Sequence, residues 1–204
     1  SSLEKAQHIN ETAKHRVVGI SVETRPDWIT TKEVKLLRKL GVTKVQLGVQ
    51  ALDEKILKTI KRGHSIEPIA KATQLLKNAG FKICYHFMPN LPGSTPQKDL
   101  SMAKIMFEDS RFKPDYLKVY PVQVIPNTQL HKLFEQGKFT TYTDQVLKKV
   151  LKGIKAVTPP WVRIDRLVRD ISKQWVSSGT MQTNIRQVIQ QELKDENEIC
   201  QCIR

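Results

Sequence analysis

The stretch Thr30–Gln50, TTKEVKLLRKLGVTKVQLGVQ, decides the fold class. Val34, Leu37 and Leu40 recur three apart, which places apolar side chains on one face of a helix. Thr30 or Thr31 stands before Glu33, so a hydroxyl and a carboxylate are ready to satisfy the free amides of a helix start. In Lys39-Leu40-Gly41-Val42 the glycine falls where a left-handed C-terminal cap is wanted. The run Val45–Val49 that follows is rich in valine and reads as a strand. Helix, glycine cap and strand in twenty-one residues make one unit of a parallel α/β fold.

The same unit recurs outward from this stretch. Asn78-Ala79-Gly80-Phe81 repeats the glycine cap ahead of a second apolar run, Phe81–Phe87. Further runs at Val17–Val22, Tyr116–Val124 and Trp161–Val168 read as strands. Helical spacing appears in Ile56, Leu57 and Ile60, and again in Ile69, Ala72, Leu75 and Leu76. Asp53 before Glu54, and Ser65 before Glu67 and Pro68, mark helix starts. A basic helix over Asp144–Val157 stops before Pro159-Pro160, and Asn184–Asn197 reads as an exposed charged helix. Repeated parallel units either close into a barrel or form a doubly wound sheet. The expectation is α/β, a partial (βα) TIM-like barrel lacking its first strands.

In such a barrel, chemistry gathers at the C-terminal ends of the strands. The strand exits here are Glu23-Thr24-Arg25-Pro26-Asp27, Gly48-Val49-Gln50, His86 ahead of Pro89-Asn90-Leu91-Pro92-Gly93, and Tyr120-Pro121. Each carries a hydrogen-bonding group, and apolar strands that repeatedly end in polar groups need a ligand or water to satisfy them. A ligand pocket at that mouth is the expectation. Arg62 and His64 fall between two helices, where Gly63 allows a strained turn and an arginine can reach a carboxylate bidentately.

Composition sets outer bounds. Hydrophobic residues make up 39% of the 204, enough for a sizeable core. No stretch approaches the roughly 18 continuous apolar residues of a membrane span, and the start has no signal-peptide core, so no membrane and a cytoplasmic setting are expected. Three cysteines, Cys84, Cys200 and Cys202, make no disulfide framework and suit a reducing compartment. Lys and Arg outnumber Asp and Glu by 34 to 20, a net charge of +14 that favours a polyanion such as nucleic acid.

Several segments resemble, in order and spacing, the Elongator catalytic-subunit family of radical S-adenosylmethionine (SAM) enzymes. They are Glu23 to Asp27, Leu47-Gly48-Val49-Gln50, Arg62-Gly63-His64, Cys84 to Gly93, Asp115 to Pro121, Pro159-Pro160-Trp161-Val162-Arg163-Ile164 and Arg169-Asp170-Ile171. The Leu-Gly-Val-Gln and Arg-x-His pieces are shared across radical SAM enzymes, whereas the Pro-Pro-Trp and Arg-Asp-Ile pieces are more particular to Elongator. The resemblance implies a radical SAM barrel over residues 1–170. It implies that residues 171–204 are a C-terminal extension and the start of a linker to an acetyltransferase domain. The implied parent enzyme forms 5-carboxymethyluridine at the wobble uridine of tRNA, using SAM, a 4Fe-4S cluster and acetyl-CoA as co-substrate. Its implied partners are tRNA and either other Elongator subunits or a second copy of itself. Glu23, Gln50, Arg62 and the His86 position would surround SAM, although related enzymes often carry an acid at the last of these.

The cluster ligands of that family are absent from the sequence, which has no trio of cysteines in one loop. They are expected upstream of Ser1, and the chain by itself is expected to be inactive. Cys200-Gln201-Cys202 resembles the start of a linker that holds zinc in the family, and supplies half of a tetrahedral site. The expected RNA surface comprises Arg163, Arg166 and Arg169, with Lys118 and Lys173 as neighbours, because phosphates beside a flipped wobble base need positive charge. Two other functions compete. One is a tRNA-binding module that keeps the barrel without the cluster, and the other is a metal-free barrel enzyme for a phosphorylated metabolite, which Gly93-Ser94-Thr95-Pro96 supports only weakly.

Overall fold

The computed structural model describes residues 2–203. A first helix, α1 (Leu3–Thr12), precedes β1 (Ser21–Thr24), α2 (Thr31–Lys39), β2 (Lys44–Gln50), α3 (Glu54–Thr59) and α4 (Ile66–Asn78). Then follow β3 (Lys82–Phe87), α5 (Pro96–Glu108), β4 (Tyr116–Val119), α6 (Gln129–Glu135), α7 (Asp144–Val157), β5 (Arg163–Arg166) and α8 (Ile185–Asp195). The strands form one parallel sheet in the order β1-β2-β3-β4-β5. A doubly wound sheet would reverse direction at some strand; this order only advances, so right-handed crossovers put the helices that connect the strands on the same face. The sheet is thus the partial α/β barrel that the repeated unit implied.

Strand alternation sorts the two faces. Val45, Leu47 and Val49 of β2 are fully buried under the helices, as are Ile83, Tyr85, Phe87, Leu117, Val119 and Ile164. Facing them are Ile56, Leu57, Ile69, Leu76, Met106, Leu151 and Ile154, at the positions where helical spacing recurs. Each such aliphatic side chain contributes about 1.5–3 kcal/mol on burial, so this layer dominates the stability. The alternate positions of β2, Lys44, Gln46 and Gly48, fall on the other, polar face.

The helix punctuation follows local chemistry. Thr30 accepts from the Glu33 amide and Asp53 from the Ile56 amide. Gly41 and Gly80 both take φ +78°, the left-handed conformation that ends a helix cheaply only at glycine. Ser65 makes no capping bond. Glu54 does that work instead, its Oε1 accepting from the Ile66 amide at 2.8 Å.

Three strand boundaries and one helix differ from the sequence reading. The first strand begins at Ser21, and Val17 and Val18 are 63% and 85% exposed, because pairing starts only where β2 begins, opposite Lys44. The fourth strand stops at Val119: after the Tyr120 amide bonds the Phe87 carbonyl, Pro121 has no amide to continue the ladder. The fifth is limited to Arg163–Arg166, its ladder broken by a register shift beside Leu117 and Lys118. Helix α8 is not a free charged helix. Ile185, Ile189 and Leu193 form a buried stripe, and Lys148 and Lys152 of α7 pair with Glu192 and Glu196 at 2.7–3.0 Å. Residues beyond β5 are also fastened by a bridge between Val124 and Ser178.

Candidate functional site

The polar face of the sheet carries a connected set of side chains near the strand ends. Glu23 on β1 and His86 on β3 meet with Oε1 and Nδ1 3.3 Å apart, Glu23 being largely exposed and His86 buried. His86 Nε2 lies 2.8 Å from Oε1 of Gln46, which also accepts from the Lys118 ammonium at 2.5 Å. The Gln46 amide nitrogen donates to Ser21 Oγ at 2.9 Å. The Tyr120 ring stands edge-on to His86 with centroids 5.5 Å apart. Burial, opposed by Glu23 but aided by Lys118, Arg169 and Arg62, lowers the His86 imidazole to about 4.

One step further along β2, Gly48, Gln50 and Arg62 form a second cluster. Arg62 reaches back from the α3–α4 connection and donates from Nη2 and Nε to the Gly48 carbonyl, at 2.6 and 3.2 Å. A β-carbon at position 48 would run into Arg62 Nη2 and crowd the Gln50 amide, so glycine is required for this approach. The β2–β3 register slips between Leu47 and Gln50, and Gln50 takes φ +68°, strained backbone for a side-chain-bearing residue. Gln50 Oε1 is buried without a hydrogen-bond partner. Such an acceptor costs about 1–3 kcal/mol unless a donor from a ligand or water meets it. Arg25 is occupied by Asp27, Nη2 to Oδ2 at 2.6 Å, and touches the turn at Gly63, whose φ is +82°.

Glu23, Gln50, Arg62 and His86 therefore all lie about the same strand exits, His86 between Glu23 and Gln46. Lys118 belongs with them by geometry: its ammonium is tied to Gln46, while its backbone stands in register with Arg166. Arg163 and Arg166 are separated along β5: Arg163 pairs in register with Tyr116 at the start of the sheet and ion-pairs with Asp165 at 3.3 Å, whereas Arg166 pairs with Lys118 nearer the mouth. Arg166 and Arg169, with Asp165, Asp170, Thr183 and Arg186, line a cleft of ≈ 250 Å³. Lys173 is exposed at the start of a short 3-10 turn ending at Trp175.

The cysteines separate into two environments. Cys84 is fully buried and its thiol is pushed up to about 12, chiefly by burial, so it is no thiolate ligand. Cys200 and Cys202 bring their sulfurs to 3.1 Å. Burial works against ionisation of both, but hydrogen bonds from Cys202 and the buried Lys155 bring the Cys200 thiol below its ordinary value. Among the described residues no group of three His, Cys, Asp or Glu side chains is placed to hold a metal ion.

Gln46 and Lys44 were missed by the sequence reading, which weighed the strand exits and not the strand interiors. Lys44 Nζ reaches Asp165 Oδ2 at 3.5 Å across the same face. Their signal was present in the alternation Lys44-x-Gln46-x-Gly48-x-Gln50, every second residue of a strand whose other positions are valine and leucine.

The family model for the radical SAM superfamily matches residues 2–104, and that for the radical SAM C-terminal domain matches 114–195. A tRNA uridine(34) acetyltransferase of Dehalococcoides mccartyi is 44% identical over 203 residues, covering 100% of the chain and 44% of the relative. Elongator complex protein 3 of Schizosaccharomyces pombe is 34% identical over 202 residues, 99% of the chain and 37% of the relative. The solved structure of the archaeal Methanocaldococcus infernus Elp3 with an N-terminal deletion superposes with TM-score 0.96 at 43% identity. It is matched over 100% of this chain and 48% of that one. The chain thus spans less than half the length of these relatives.

Proposed function

The chain belongs to the radical SAM superfamily, and from that premise we propose that it is the SAM-holding, RNA-facing part of an enzyme that modifies the wobble uridine of tRNA. The observation that carries this reading is similarity along the whole chain to proteins named for acetyl transfer to tRNA uridine 34. The parent enzyme, on this reading, uses SAM, a 4Fe-4S cluster and acetyl-CoA to form 5-carboxymethyluridine. When bound, cluster and SAM supply the radical chemistry, and the protein supplies binding and orientation.

The residues present fit the SAM part of that assignment. Gln50 Oε1 is an unpartnered buried acceptor suited to a ribose hydroxyl or amino group, and Arg62 keeps Nη1 beyond its grip on Gly48 for a carboxylate. Glu23 and His86 add acceptors on the same wall. They do not supply cluster thiolates: Cys84 is buried in a strand, and Cys200 with Cys202 is half a site, for which zinc completed by ligands elsewhere in the parent is the proposal. The cluster ligands would likewise come from elsewhere in the parent. Residues 171–204 would lead toward the acetyltransferase part, while Arg166 and Arg169, with Lys118 in register beside Arg166, and Lys173 and the more distant Arg163, would meet tRNA phosphates. Unpaired thiols suit a cytoplasmic parent, and no described helix is long and apolar enough to cross a membrane. Other Elongator subunits, or a second copy of the chain, would be its protein partners.

The test is to incubate the parent protein, with its cluster reconstituted, with SAM, acetyl-CoA and unmodified tRNA, and to analyse nucleoside 34 by mass spectrometry. A carboxymethyl adduct on that uridine is the expected result, and unmodified tRNA under reducing, anaerobic conditions overturns the reading. A second reading, a tRNA-binding module without radical chemistry, draws on the lack of a cysteine trio in these 204 residues. It requires tRNA binding by a parent that takes up no iron.

A further inference from the structure

Hydrogen-bond logic on the sheet's polar face leads from Lys118 to His86. An ammonium only donates, so the Gln46 atom 2.5 Å from Lys118 Nζ must be the amide oxygen. That oxygen also faces His86 Nε2 at 2.8 Å and only accepts, so Nε2 must carry the imidazole proton. The Gln46 amide nitrogen is then left to donate to Ser21 Oγ, which it does at 2.9 Å. Neutral His86 consequently presents Nδ1 as a lone pair toward the Glu23 carboxylate, 3.3 Å away.

This is the less obvious arrangement. Left to His86 and Glu23 alone, the favoured tautomer would put the proton on Nδ1 and donate it to the carboxylate, as a histidine beside an acid ordinarily does. We infer that Lys118, acting through Gln46, is a positioning residue that overrides that preference and holds His86 as the Nε2–H tautomer. Nδ1 and Glu23 then form a pair of acceptors on the pocket wall. Such a pair takes a hydrogen bond from an N–H or O–H donor of a ligand, or shares a single proton when none is bound. Glu23 is 62% exposed, so a proton received at Nδ1 has a route through that carboxylate to water. The charged groups around His86 are Glu23 from β1, Lys118 from β4, Arg62 from the α3–α4 connection and Arg169 from beyond β5, with the Tyr120 ring against its edge. Only Lys118 addresses the ring through the amide that contacts Nε2. The identity of the ligand rests on the SAM pocket proposed above, but the tautomer does not.

The tautomer is read directly by imidazole nitrogen NMR on the uniformly nitrogen-15-labelled chain without ligand, His86 being assigned by its loss in His86→Gln. The expected spectrum has Nε2 protonated and Nδ1 unprotonated above the imidazole titration. In Lys118→Met, Gln46 is free to turn its amide, and the two resonance types should exchange between Nδ1 and Nε2. Lys118→Arg, which also only donates, should keep the parent pattern. Gln46→Glu combined with Lys118→Met restores an acceptor that cannot turn, and should return His86 to Nε2–H. A parent spectrum with the proton on Nδ1, or a folded Lys118→Met chain with unchanged tautomer, overturns the inference. Failure here leaves SAM binding untouched, and failure of SAM binding leaves the tautomer where Lys118 puts it.

Discussion

Arg62 is held by a backbone oxygen before any ligand arrives: two of its nitrogens grip the Gly48 carbonyl, and burial lowers its basicity without discharging it. If Arg62 holds SAM as proposed above, Arg62→Ala in the cluster-bearing parent should weaken SAM binding by the worth of one charged hydrogen bond, about 1.5–3 kcal/mol, in calorimetric titration. Arg62→Lys should not rescue it, since a point ammonium cannot reproduce the fork that fixes the guanidinium on Gly48. An unchanged dissociation constant in Arg62→Ala would remove the residue from the pocket. His86 supports a second expectation. Burial, the largest influence, brings it from 6.5 to about 4, so the unfolded chain binds this proton before the folded one does. The stabilisation is complete above about 6.5, declines as pH falls toward about 4, and is flat below that. Urea-unfolding midpoints across that window should fall for the parent chain and fall less for His86→Gln; parallel slopes would show that His86 is not held neutral by the fold.

Helix α8 shows how an element's surroundings change its reading. Its eleven residues are mostly polar, and nothing in that composition distinguishes a free helix from a docked one. What docks it is the stripe Ile185, Ile189 and Leu193, four apart, against α7. The accompanying ion pairs of Lys148 and Lys152 are partly exposed and weigh less. Ile189→Ala should therefore cost about 2–5 kcal/mol by leaving a cavity at a fully buried position. Glu196→Gln, which breaks one exposed pair, should cost far less, and less still at high salt. Comparable losses in denaturant unfolding would mean that the helix is held by charge.

Across the whole molecule, the advancing strand order gives the sheet one apolar face covered by helices and one polar face carrying Glu23, Lys44, Gln46, His86, Lys118 and Asp165. The mouth of that face lies near Arg166 and Arg169, whereas Arg163 sits at the start of β5 beside Asp165. Changing Arg166 and Arg169 together to Glu should therefore remove most tRNA binding in gel-shift titration, and Arg163→Glu much less. The parent affinity should fall steeply with salt, the logarithmic slope steepening by roughly 0.7–0.9 for each RNA phosphate that a basic side chain neutralises. If Arg163→Glu proves as damaging as the double change, the RNA runs along the sheet and not across its mouth.

The sequence alone carried the class of fold and named polar residues that the structure gathers at the strand exits. Helical spacing, glycine caps and valine-rich runs are local rules that act within a dozen residues, and the order of Glu23, Gln50, Arg62 and His86 along the chain is legible without coordinates. Only the tertiary structure decided which of several local options was taken. Val17 and Val18 are as strand-like as their neighbours, yet have no partner strand. Glu54, twelve positions away from Ile66, replaces Ser65 as the cap of α4. Lys118, expected as a neighbour of the basic arginines, also reaches Gln46, seventy-two positions distant. Each outcome depends on parallel strand pairing or helix packing that joins residues far apart in the chain, and no periodicity in the chain encodes such a meeting directly.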